Sequence, residues 1–167
     1  MVLFGFMFIV YVHDRYQNLS LFLSARPQMN ETLGLTNTLL LLASSWFVAS
    51  GVAAARMGRL RIARGALLGG ICCALGFCTV KFFEYREKLE AGITPATNLF
   101  FTYYFGLTGI HLVHVIVAIG VMSFAVARCG RASLTQKDFV FIESAASFWH
   151  LVDILWIMLF ALLYLMR

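Results

Sequence analysis

The chain has 167 residues, 61% of them hydrophobic and 13% charged, with a mean hydropathy of +0.84. Soluble domains carry about a quarter charged residues, so this composition leaves too little polar surface to face water and excludes a soluble globular domain in favour of a membrane-embedded one. The net charge of +5 sits in short turns whose bases are not interleaved with aromatics, a pattern of cytoplasmic loops beside anionic lipid rather than of a nucleic-acid site.

The apolar runs are long and do not alternate, which predicts helices rather than barrel strands. The first, Met1 to Val12, ends at His13-Asp14-Arg15. Its twelve residues reach about 18 Å at 1.5 Å per residue, short of a roughly 30 Å core. It lacks the basic leader and small-residue cleavage site of a signal peptide. It reads as the second half of a helix (1–13) that begins upstream of Met1. A polar loop over 14–31 follows.

The second helix is expected over the uncharged run 32–55, where Asn37, Ser44 and Ser45 offer polar groups to a helix interface. A basic turn with Arg56, Arg59, Arg61 and Arg64 leads to a third helix over 65–83. There Gly69, Gly70, Gly76, Ala66 and Ala74 permit close helix approach. Near its end Lys81 and Glu84, at i,i+3, read as a snorkelling ion pair. A mixed loop, 84–98, contains Pro95. The fourth helix, 99–127, carries His111 and His114, with Gly106 and Gly109 as further packing positions. The fifth, 139–166, holds Glu143, His150 and Asp153.

The expected fold is therefore all-α: a polytopic membrane helix bundle of five transmembrane helices, the first truncated at its N-terminus, forming a single membrane domain over 1–167. The chain shows no soluble domain and no internal repeat. Cys72, Cys73, Cys78 and Cys129 form no CxxC pair and read as small buried hydrophobes. The turns at 56–64 and 128–138 hold seven Arg and Lys. The positive-inside rule then places them, and the N-terminus, in the cytoplasm and the C-terminus outside.

Ionisable residues inside a membrane are costly, so they carry the functional reading. Glu143 and His150 are seven residues apart, and His150 and Asp153 are at i,i+3, so all three lie near one helical stripe. Trp149 and Trp156, also seven apart, form a neighbouring aromatic stripe. With His111 and His114 these side chains suit a structural polar network that fixes helix packing. A proton relay, or a metal site drawing on three histidines and two carboxylates, uses the same residues. A haem held by His114 and His150 meets crowding from Phe148, Trp149 and Trp156.

Four segments together resemble subunit III of the haem-copper oxidase superfamily. LGLTNTLLLLASSW (33–46) is similar to its N-T-x-x-L-L-x-S-S helix, and KFFEY (81–85) to the end of the next. FFTYYFGLTGIHLVHVIVAIG (100–120) is similar to its T-G-x-H-x-x-H-V helix. FIESAASFWHLVDILWIMLFALLY (141–164) is similar to its E-x-x-x-x-Y-W-H-F-V-D-x-x-W-x-x-L-F helix. Mitochondrial members have seven helices, of which this chain matches the last five. Its first helix, MVLFGFMFIVYVHDR, looks more like the five-helix NorE-type accessory proteins of nitric oxide reductase. The family's buried Glu upstream of this aromatic run falls at or before Met1.

The resemblance implies a cytochrome c oxidase subunit III-like membrane protein without catalytic or redox centres of its own. It implies haem and copper or iron in a catalytic partner subunit, bound phospholipid, and a place in the bacterial inner membrane. His111, His114, Glu143, Trp149, His150, Asp153 and Trp156 carry over as structural positions, none as a catalyst. The competing class is an independent membrane transporter or proton channel using the His/Glu/Asp network, which would more often show repeats and broken helices.

Overall fold

The structure is a computed structural model that describes residues 2–25, 30–131 and 133–165. Among these the chain is entirely helical. In chain order the helices are α1 (Val2–Gln17), α2 (Leu19–Ala25), α3 (Glu31–Arg56), α4 (Leu60–Glu90), α5 (Leu99–Arg128) and α6 (Gln136–Phe160), the last running into a π-helical turn at Ala161–Leu165. Four of them, α3 to α6 with the final turn, are long and apolar enough to cross a membrane. The fifth expected span is not among them. At 16 residues, α1 reaches about 24 Å.

The expected loops are shorter than the charge pattern suggests. The polar segment after Val12 continues α1 to Gln17 and then forms α2. Arg61 and Arg64 lie inside α4, and so does the stretch Glu84 to Glu90. A glycine ends each of the helices α3 and α4. Gly58 (φ +74°) donates to Ala55 O at 3.0 Å while Arg59 N–H reaches Ala54 O at 2.9 Å. Gly92 (φ +77°) donates to Leu89 O at 3.0 Å and Ile93 N–H reaches Lys88 O at 2.9 Å. Each closes its helix with a left-handed residue that only glycine adopts without strain. The N-termini are capped by side chains: Asn30 for α3, Asn98 for α5, and a reciprocal Thr135–Asp138 pair for α6.

The four long helices pack as a ring, α3 against α4 and α6, and α5 against α4 and α6, with α1 and α2 resting on α5. Large side chains such as Leu39, Trp46, Phe82 and Phe124 remain exposed on the outside, where lipid is their natural solvent. Small residues bring α3 and α4 together. A Cβ added at Gly70 would stand 2.9 Å from Val48 Cγ2, and one at Gly51 2.8 Å from Leu67 Cδ2. Gly109, expected to play the same part in α5, has open space beside it. Of the cysteines, Cys129 is buried but Cys72 is exposed.

The Gly70 contact also carries a hydrogen bond, since Ser44 Oγ donates to Gly70 O at 2.9 Å. Gly70→Val should therefore push α4 off α3 and cost about 1–3 kcal/mol by overpacking. SDS titration of the detergent-solubilised variant measures this. Gly109→Ala, at an open position, is the control and should unfold with the wild type.

Candidate functional site

Because α4 continues to Glu90, Lys81 and Glu84 sit one turn apart on the same inward face. Both side chains are about 1% exposed, so the pair does not snorkel. Lys81 Nζ lies 2.9 Å from Glu84 Oε2, 3.0 Å from Tyr164 OH and 3.4 Å from Tyr104 OH. The ammonium has three protons, and each has an acceptor. Tyr104 OH donates to Glu84 Oε1 at 2.8 Å, and Tyr164 OH donates to the same oxygen. Ring faces complete the enclosure, with Nζ 4.9 Å from the Trp156 centroid and 5.0 Å from that of Tyr104. One buried ion pair thus ties α4 to α5 and to the π-turn after α6.

The indoles of α6 form a second set of ties. Trp149 Nε1 donates to Ser44 Oγ at 3.0 Å and Trp156 Nε1 to Thr38 Oγ1 at 3.1 Å. Seven residues on α6 answer six on α3, running in opposite directions, so the tryptophans and hydroxyls fix the register of an antiparallel helix pair.

The structure separates the five residues of the predicted polar network. His111 is fully buried between Phe77 and Trp156, with ring centroids 5.7 and 5.3 Å away, and neither ring nitrogen has a hydrogen-bond partner. His114 turns toward α1, its Nδ1 2.8 Å from Ile110 O and its ring 5.4 Å from Phe4. Glu143 accepts from Arg56 Nε at 2.9 Å near the surface. His150 Nδ1 and Ser45 Oγ are 2.7 Å apart, while Asp153 Oδ2 is buried without a hydrogen-bond partner. Among the described residues no three His, Cys, Asp or Glu side chains gather as a metal site.

His150→Ala removes the Ser45–His150 contact between α3 and α6. Interhelical polar contacts in membranes average about 0.6 kcal/mol, with model peptides at 1–2. A loss of about that size is expected in thermal unfolding, since a single interhelical contact is removed. A change beyond about 3 kcal/mol would mean that His150 holds more than this junction.

Tyr104, Tyr164, Thr38 and Arg56 are partners that the sequence reading did not single out. The phenols carried a signal: a tyrosine inside an apolar helix needs a partner for its hydroxyl.

Comparison with known proteins matches residues 26–167 to the family described as cytochrome c oxidase subunit III. The heme-copper oxidase subunit I+III of Aeropyrum pernix is 27% identical over 168 residues, covering 97% of this chain and 21% of that protein. Cytochrome c oxidase subunit 3 of Synechocystis is 32% identical, with 84% of this chain and 59% of its own length covered. That of Schizophyllum commune is 30% identical, with 80% and 48% covered. The chain thus spans less than two thirds of each of these relatives. With four membrane-length helices in the order the motifs require, and a match over most of its length, the chain belongs to the cytochrome c oxidase subunit III family.

Proposed function

We propose that this protein is a non-catalytic, integral-membrane subunit of a haem-copper respiratory complex, bound to a catalytic subunit that holds the haem and copper or iron. The observation that carries this reading is the use made of its intramembrane charges. Lys81, Glu84 and their phenols satisfy one another inside the chain, which is the arrangement of a scaffold. The Aeropyrum pernix relative bears the names of subunits I and III together, which supports a subunit I-type chain as the partner. The four spans run as unbroken helices until the final π-turn, unlike the discontinuous helices of transporters.

We place the protein in a bacterial inner membrane, and the charge asymmetry supports an orientation with the Arg-rich turns in the cytoplasm. Within this class the first helix, similar to the NorE-type one, supports a nitric oxide reductase as a second choice of partner.

In mild detergent the protein is expected to co-purify with a haem-containing chain, whose spectrum tells oxidase from nitric oxide reductase. Deleting its gene should leave turnover measurable while lowering yield or sustained rate. Oxidase or reductase activity of the isolated chain, or solute transport by it in liposomes, would overturn the reading.

A further inference from the structure

The outer face between α3 and α6 differs from the rest of the ring. Elsewhere the outside carries large apolar side chains such as Leu39, Phe82 and Phe124, which lipid solvates. Here the two helices leave a groove of about 360 Å³, inside the range of roughly 300–1,000 Å³ for small-molecule sites. Ala49 and Ala53 of α3 and Ala146 of α6 form its walls. Both α3 alanines are exposed, so the groove opens outward. Arg56 and Glu143 stand at one end and His150 at the other. The two ends are two turns of α6 apart, about 10 Å.

The charges in the groove cancel, since Arg56 Nε lies 2.9 Å from Glu143 Oε1. It therefore offers no unmatched charge to an anion. It does offer hydrogen bonds. Arg56 spends Nε on Glu143, and its terminal N–H groups remain. His150 uses Nδ1 on Ser45 Oγ at 2.7 Å, and Nε2 remains. The Ser45 hydroxyl can donate or accept, so the imidazole can take either tautomer. Nε2 is thus able to donate to a carbonyl or to accept from a hydroxyl.

We propose that this groove binds the ring of an isoprenoid quinone, in both its quinone and quinol forms. The ligand has to be neutral, soluble in the membrane and flat enough to lie between alanines. It also has to carry an oxygen at each end. One oxygen meets His150 Nε2 and the other the Arg56 guanidinium. The length of the groove matches a six-membered ring with an oxygen at each end and a hydrogen bond beyond each. Reduction turns a carbonyl into a hydroxyl, and the Ser45–His150 pair can reverse to follow it. A hydrocarbon chain alone would leave Nε2 and the guanidinium without partners in apolar surroundings. Beyond His150 the two stripes continue as Leu42 on α3 and Ile154 on α6, both exposed, which gives the isoprenoid tail an apolar track.

The test is photolabelling of the full chain in its native membranes with an azido-quinone, followed by peptide mapping. Label should fall on the facing stretches of α3 and α6, and decylubiquinone should compete it away. His150→Leu should weaken that competition by up to about tenfold, the worth of one hydrogen bond. His150→Gln, which keeps a donor and an acceptor, should recover most of it. Ala49→Leu fills the groove from an exposed position and should abolish the label, whereas Val117→Leu on the outside of α5 should not. Decane or phosphatidylglycerol competing as well as decylubiquinone would overturn the proposal, by showing a groove for any hydrocarbon chain. So would label spread over the lipid-facing sides of all the helices. Label that appears on the isolated chain but is lost in its complex with a haem-containing chain would also overturn it, since a partner helix then covers the groove. If His150→Leu fails to fold, competition on the wild type and on Ala49→Leu gives the same decision.

Discussion

Glu84→Leu is expected to destabilise the bundle by about 3–5 kcal/mol, the usual cost of leaving one partner of a buried ion pair alone. The substitution removes the carboxylate that accepts from Lys81, Tyr104 and Tyr164 together. Lys81 is then left in a site about 1% exposed, with only phenol oxygens and ring faces around it. The phenols lose the carboxylate that accepts from them at the same time, which adds to the loss. Lys81→Met/Glu84→Leu should recover most of the loss, because an apolar pair of similar volume needs no solvation. The double-mutant cycle, read by SDS titration, separates the pair's coupling from the packing of either side chain. Glu84→Leu unfolding within about 1 kcal/mol of the wild type would show that water reaches the pair and that it does not tie the three elements together.

That pair also marks the limit of what the sequence could disclose. The i,i+3 spacing of Lys81 and Glu84 is local and legible, and the ion pair exists as spaced. Its burial depends on Tyr104 and Tyr164, which lie 23 and 83 residues from Lys81, and no local pattern announces them. His111 and His114 show the reverse case. Their spacing suggests one polar face, but helical rotation between them points one into the core beside Trp156 and the other toward Phe4 on α1.

Helix ends were more legible than the charge runs allowed. Arg61, Arg64 and the stretch after Glu84 read as loop because they are charged, yet a helix may carry charge once it passes the hydrocarbon. The better signals were Gly58, Gly92 and Pro95 beyond the helices. Likewise T-Q-K-D at 135–138 is a capping pattern that starts α6 before the apolar run does. The second short helix, α2, has no such signal. It is seven residues long and is held by contacts such as Phe22 against Tyr11 and Phe100.

Trp156→Ala should be as damaging as the loss of Glu84, about 3–5 kcal/mol, as for a large aromatic removed from a close-packed interior. Trp156 has no exposed surface, and its ring lies 4.8 Å from the Phe77 centroid and 5.3 Å from that of His111. It is also the face over which Lys81 Nζ sits. Truncation therefore opens a cavity at the centre of α3, α4, α5 and α6 and strips one wall from the buried cation. Thr38→Val isolates the polar share of the same contact. It keeps the shape of the side chain but leaves Trp156 Nε1 without its acceptor, for an expected cost of about 1–3 kcal/mol. Trp156→Phe should fall between wild type and alanine, because the ring still fills most of the space. If Thr38→Val proves as costly as Trp156→Ala, the indole serves mainly as a hydrogen-bond donor to α3, and the packing account of the centre is wrong.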